Sequence, residues 1–249
     1  LALYIFTGLS DHDPWKNDDA ITIGVVHQML VQGDWLHFDL AGSAYPDAPL
    51  YYWLAASFAF LLKWLAPVHE AARLASGVFT LLALTFILLA ARELHGREQA
   101  PAAPLLLAGS IGFLFHAHEA QPMLAALSAH CAAYWGLAQI ERRPRPGAVY
   151  FGGALALGCL ANGLAPMLLL LPAAAIVAWQ STKRKQTSLH LLGSILVAGV
   201  IVVLWLAILG LSSGDYLSSY WQEELDQLAG HPQPLLSMQR LLSMLPWYA

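Results

Sequence analysis

The stretch AVYFGGALALGCLANGLAPMLLLLPAAAIVAW, residues 148–179, decides the fold, because it runs its whole length without a charged residue. At 1.5 Å of rise per residue it is too long to cross a ~30 Å hydrocarbon core once as a single helix. Asn162, Gly163 and Pro166 fall near its middle, so it reads as two short helices that turn there. Working outward, further apolar stretches lie at 50–66, 73–91, 102–117, 120–139 and 188–211. The chain as a whole follows suit: of 249 residues, 58% are hydrophobic and 11% charged. Mean hydropathy is +0.55. A soluble domain carries roughly 25% charged residues, so there is too little polar surface here to clothe a globule. A net charge of −4 with 12 basic residues also argues against nucleic-acid binding. The expected class is an all-α integral membrane protein, a single transmembrane domain over 1–249 with no internal repeat or flexible linker.

Polar clusters set the expected orientation. ARELHGREQ (91–99), ERRPRPG (141–147) and STKRKQTS (181–188) hold Arg92, Arg97, Arg142, Arg143, Arg145, Lys183, Arg184 and Lys185, eight of the twelve bases. The positive-inside rule puts all three in the cytoplasm. Two apolar helices separate each neighbouring pair, so the assignments agree with one another. The 10–49 loop, the 116–121 turn, the Asn162 turn and the 212–245 segment then face outward. The first of these carries Asp11, Asp13, Asp18, Asp19, Asp34, Asp39 and Asp47 against one base, Lys16. Segment 50–66 must begin and end outside. Its Tyr51, Tyr52, Trp53 and Trp64 are interfacial residues and Lys63 lies within it, so a juxtamembrane or re-entrant helix is expected. LALYIFTGL (1–9) reads as the end of a first transmembrane helix. Cys131 and Cys159 lie in apolar stretches, as small hydrophobes do.

Within the outer loop, NDDAITIGVVHQMLVQ (17–32) has helical spacing, with Asn17 as N-cap, an apolar face of Ile21, Ile23, Val25, Val26, Met29 and Leu30, and Gly33 as its stop. Asp18 and Asp19 in its first turn either satisfy the helix dipole or serve as a general base. Burial would raise such a carboxylate's pKa and the dipole would lower it, so its sign stays open. HAHEAQ (116–121) places His116 and His118, weak metal-ligand candidates, beside Glu119, a candidate second acid. His130, mid-span, is expected to be hydrogen-bonded inside the bundle. SYWQEELDQLAGHPQP (219–234) reads as an interfacial amphipathic helix with Glu223 and Glu224 on its surface.

Four segments in order also resemble a family: DPWKNDDA (13–20), HQMLVQGDWL (27–36), AYPDAPLYYWL (44–54) and HEAARLASG (69–77). The series is similar to the first extracytoplasmic loop of the polyprenyl-phosphate-sugar glycosyltransferases of GT-C type, including the lipid A aminoarabinose transferases and, more distantly, the protein mannosyltransferases. That loop reads roughly D-E-x-R-Y-A, M-L-x-x-G-D-W, K-P-P-L-Y-Y-W and R-L. GALALGCLANGLAP (153–166) resembles the later G-L-A-x-L-x-K-G-x-x-P, and LPWYA (245–249) the L-P-W that opens another transmembrane helix. The likeness covers the chain but only the N-terminal half of a family member. It implies a GT-C-like transmembrane bundle with a long first extracytoplasmic loop. The implied enzyme moves a sugar from undecaprenyl phosphate to a lipid, glycan or protein acceptor at the outer face of the bacterial inner membrane. It needs no cofactor, and inversion at the anomeric carbon is expected.

The D-E pair falls on Asp18 and Asp19. The resemblance gives Asp19 the role of base, with Asp18 second and Glu119 as a further acid. Lys16, Arg73, Tyr45 and Tyr52 become the candidate phosphate or substrate contacts; Arg73 matches the family's Arg, and would otherwise be an interfacial snorkelling residue. The chain departs from the pattern where Asp47-Ala48-Pro49 replaces Lys-Pro-Pro, Asn162 replaces the Lys of K-G, and Ile21-Thr22 replaces Arg-Tyr. Losing cationic phosphate ligands makes a catalytically degenerate relative that binds polyprenyl lipid a rival expectation; a transporter component is a separate one. A transporter would carry paired broken helices, of which only one is visible.

Overall fold

The computed structural model describes Ile5, residues 7–9, 13–14 and 16–229. The LPWYA segment, most of the 1–9 stretch and the end of the 212–245 segment lie outside the described residues. The elements are α1 (Asn17–Gln32), β1 (Asp39–Leu40), β2 (Ser43–Ala44), α2 (Leu50–Leu62), α3 (Val68–His95), α4 (Ala102–Ala108) and α5 (Ile111–His116). They continue with α6 (Met123–Gln139), α7 (Pro144–Asn162), α8 (Leu164–Leu168), α9 (Leu170–Gln180), α10 (Arg184–Ser212) and α11 (Gly214–Ala229). The strands form only a two-residue antiparallel ladder, so the fold is all-α. Helices α3 and α10 are long and apolar enough to cross a membrane.

The bundle is a row in which α2 packs on α3, α3 on α6, α6 on α7 and α7 on α10. The α6–α7 contact is the closest because it is glycine on glycine. A Cβ on Gly136 would stand 2.6 Å from the Phe151 backbone nitrogen, and one on Gly147 would stand 2.7 Å from the Gly136 carbonyl oxygen. Trp135 fills the seam, stacked between Phe86 of α3 and Tyr150 of α7.

The three basic clusters converge at one end. Arg142 pairs with Glu93 across 3.6 Å, and Glu141 accepts hydrogen bonds from Ser181 and Thr182. The helical hairpins expected from the charge pattern are therefore formed. The long apolar stretch does break at Asn162: Gly163, at φ 75°, ends α7.

Three expectations are corrected. The 102–117 stretch is two short helices, because Gly109 and Ser110 interrupt it and the Ser110 hydroxyl bonds back to the Leu107 carbonyl. Asn17 is the first helical residue of α1; Lys16 takes the N-cap position, without a side-chain cap bond. Arg73 does not snorkel to an interface, since it is fully buried.

Helix α2 has 13 residues, about 20 Å, too short to cross. Leu50 starts it beside Phe79, Leu82 and Phe86, and the Tyr51 ring stacks on Phe79. It therefore rises antiparallel to α3, from partway down that helix to the turn at 63–67. The preceding loop dips into the bundle to reach that starting point.

Candidate functional site

The end opposite the basic clusters gathers the acids. Helix α1 buries Thr22, Ile23, Val25, Val26 and Met29 along one stripe, and Asp19 lies on that stripe, fully buried. Asp18, one position on, points outward and is exposed. The apolar stripe thus drives one of two adjacent carboxylates inside and leaves the other in solvent.

Burial of Asp19 is offset by specific partners. Its Oδ2 lies 2.7 Å from Arg73 Nη2. Its Oδ1 accepts from Arg73 Nε at 3.2 Å and from the Ala120 backbone N–H at 2.7 Å. Ser76, one turn further along α3, donates its single proton to the Glu119 carbonyl. Its oxygen therefore accepts from the Tyr51 hydroxyl, 2.7 Å away, and from the Gln121 N–H. The 119–121 segment is thus fixed to α1, α2 and α3 together. The Glu119 side chain turns the other way, to Lys16 Nζ at 2.5 Å and His116 Nδ1 at 3.2 Å. The Lys16 ammonium also sits 5.4 Å from the Phe115 ring centroid. His118 Nδ1 faces the Leu114 carbonyl. Among the described residues, no group of three His, Cys, Asp or Glu is placed to hold a metal ion.

A second cluster forms where the dipping loop meets α11. Tyr52 donates to Asp47 Oδ2 at 2.8 Å, and the Ala48 N–H donates to Oδ1 at 2.7 Å. The Tyr45 hydroxyl bonds to that of Tyr52. Burial first, then the charges of Glu223 and Glu224, hold the Asp47 carboxyl above its ordinary value despite these hydrogen bonds. Burial also pushes the Tyr45 hydroxyl up, aided by the charges of Asp47, Asp18 and Glu223. Helix α11 is pinned above this loop by Tyr216, which accepts from the Phe38 N–H at 3.0 Å and donates to the Tyr45 carbonyl at 3.1 Å.

Glu224 is the residue the sequence reading missed. Expected on a solvated helix face, it is only 3% exposed. One carboxylate oxygen accepts from Tyr220 at 2.9 Å and the other from the Leu164 N–H at 3.0 Å. A Cβ on Gly163 would land on this carboxylate, so the helix break and Glu224 fit one another. Spacing alone carried a signal, since Tyr220 and Glu224 are one helical turn apart. Their shared burial depends on α8, which spacing does not place. Glu223 is exposed, as expected. His130 is held inside the bundle as expected, with Nδ1 at the Ala126 carbonyl and Nε2 at the Pro166 carbonyl, tying α6 to the same break.

The structure therefore brings Asp19, Arg73, Glu119 and Lys16 into one connected group, and Tyr45, Tyr52 and Asp47 into another. His116 joins the first through Glu119, with the Gln121 side-chain amide also 3.5 Å from its Nδ1. Both bases named as phosphate contacts already face carboxylates: Arg73 that of Asp19, Lys16 that of Glu119.

No family model matches the chain. It is 28% identical, over an aligned length of 261 residues, to an undecaprenyl phosphate-α-4-amino-4-deoxy-L-arabinose arabinosyl transferase of Pseudomonas paraeruginosa, covering 98% of this chain and 47% of that protein. The enzyme of that name from Edwardsiella ictaluri is 25% identical, with 98% and 46% covered. The chain thus spans about half the length of the curated relatives it matches. In fold it superposes on ArnT from Cupriavidus metallidurans bound to undecaprenyl phosphate, with a TM-score of 0.77 at 20% identity, over 90% of this chain and 42% of that one. The apo form of that protein gives a TM-score of 0.71. In sequence along its whole length and in its all-helical membrane fold, the chain matches the N-terminal half of the polyprenyl-phosphate-sugar glycosyltransferases of aminoarabinose-transferase type.

Proposed function

We propose that the protein is a membrane glycosyltransferase that moves a sugar from a polyprenyl-phosphate donor to a lipid or glycan acceptor. The observation that carries this reading is the likeness just described, which extends over 98% of the chain and includes a fold solved with undecaprenyl phosphate bound. The clustering of six carboxylates (Asp18, Asp19, Asp47, Glu119, Glu223 and Glu224) at the end away from the basic clusters supports an active face on the extracytoplasmic side of the bacterial inner membrane. The described residues of the 10–49 loop and of the segment beginning at 212 together form that face.

In this reading the bond between the sugar's anomeric carbon and the phosphate oxygen breaks as the acceptor oxygen bonds to that carbon. The acceptor's proton passes to a carboxylate, and the polyprenyl phosphate leaves with its charge. We assign the base to Asp18 in preference to Asp19. Asp19 has both oxygens committed to Arg73 and Ala120 and has no solvent-facing surface. Asp18 is exposed and next to it in sequence. Asp19 and Arg73 then hold the start of α1 against the 119–121 segment. Lys16, with 30% of its side chain exposed at the rim, is the base best placed to meet a phosphate, and Tyr45 and Tyr52 can contact the sugar. Glu119 orients Lys16.

The test is transfer of labelled sugar from undecaprenyl-phosphate donors by the full-length protein in membranes, alongside Asp18→Asn. Transfer that collapses in the variant supports both the activity and the base. Donor binding without turnover of any donor would make the protein a lipid-binding relative. Failure to bind the lipid would end the reading altogether.

A further inference from the structure

We propose that the groove between α7 and α10 is a binding site for an anionic phospholipid, at the end of the bundle opposite the acids. The groove encloses about 640 Å³. Arg145 and His190 lie at one end, and Val149, Val197 and Ile201 continue the wall. From His190 to Ile201 the groove follows about 16 Å of helix, a length that suits a membrane acyl chain.

Two features point to an occupant. The first is the pair Gly153 and Gly193, which line the groove from α7 and α10 respectively. A Cβ on either would meet nothing within 4 Å. These glycines are not required by close packing, unlike Gly136 and Gly147. A side chain at either position would be accommodated and would strengthen the helix, since Gly costs about 1 kcal/mol against Ala in a helix interior. What their absence of side chain preserves is the depth of the groove. The second feature is charge. Arg145 is exposed and makes no hydrogen bond or ion pair among the described residues. It stands at the end where the basic clusters converge, with His190 as a neighbouring hydrogen-bond donor.

An apolar trough with a free guanidinium at its mouth is complementary to an acyl chain ending in a phosphodiester. A zwitterionic lipid would set its own cation against Arg145. This site is separate from the proposed donor site, because Arg145 starts α7 while the Asn162 end of that helix, about 26 Å away, carries the break held by Glu224.

The experiment is native mass spectrometry of the full chain released from detergent, with added dioleoylphosphatidylglycerol or dioleoylphosphatidylcholine. The wild type is expected to retain one phosphatidylglycerol at least tenfold more tightly than phosphatidylcholine. Arg145→Ala with His190→Ala should reduce that preference to within about twofold. Gly193→Leu should fill the groove and abolish retention without lowering the melting temperature. Equal retention of the two lipids by the wild type would overturn the proposal, as would full phosphatidylglycerol retention by a folded Gly193→Leu protein. The Arg145 and His190 substitutions are exposed or half-buried and leave packing intact, so their result stands if Gly193→Leu fails to fold.

Discussion

Asp19 and Arg73, 54 residues apart in sequence, form a two-point ion pair in which both side chains are fully excluded from solvent. Such a pair is costly to break and weakly favourable to keep, because each charge left alone in a low-dielectric interior carries its whole desolvation penalty. Arg73→Ala is expected to destabilise the protein by about 3–5 kcal/mol. Asp19→Leu combined with Arg73→Met should recover most of that loss. Denaturant unfolding in detergent checks both; an Arg73→Ala protein as stable as the wild type would show that the pair holds nothing together.

The two adjacent aspartates should separate in their kinetics. Asp18→Asn is expected to lower kcat by about 10²–10⁴-fold with little change in melting temperature, since Asp18 is exposed. Asp19→Asn should lower melting temperature and turnover together. A fully active Asp18→Asn enzyme would return the role of base to another carboxylate.

Glu224 joins α11 to the helix break through two accepted hydrogen bonds. Glu224→Ala leaves two donors unsatisfied and should cost roughly 2–4 kcal/mol at about 1–2 per donor. Glu224→Gln can still accept from Leu164 and donate to the Tyr220 oxygen, so it should lose less. Gly163→Ala should be worse tolerated than an ordinary helix substitution, because its φ of 75° and the carboxylate above it both exclude a Cβ. Hydrogen exchange at the Leu164 amide reads the contact directly, and protection unchanged in Glu224→Ala would refute it.

Asp47 gives a pH prediction. Its folded pKa is raised, chiefly by burial, so the folded state binds the proton more tightly than the unfolded state. Its contribution to stability is therefore most favourable below the unfolded value. That contribution declines as pH rises through the window up to the raised folded value, and the cost is complete above it. Asp47→Asn keeps a hydrogen-bonding group toward Tyr52 and Ala48 and removes this slope. Unfolding free energies measured across pH should show the variant flatter than the wild type through that window, and parallel curves would contradict the assignment.

The sequence by itself determined the class, the helical hairpins and the limits of α1, because hydrophobic length, charge bias and helical period are local or additive properties. The break at Asn162 was legible for the same reason, as was the series of motifs that gave the likeness to the transferases. Which acid lies where was decided only by tertiary structure. Asp18 and Asp19 are chemically identical neighbours, and the stripe that α1 buries against α2 and α3 sends one inside and leaves the other out. Arg73 was equally plausible at an interface until Asp19 met it in the core. Glu224 looked like one more surface charge on an amphipathic helix, and became a buried acceptor because a distant turn, 60 residues earlier, presents a bare N–H and a glycine to it. Long-range complementarity of this kind has no period in the sequence, so only the folded chain reveals it.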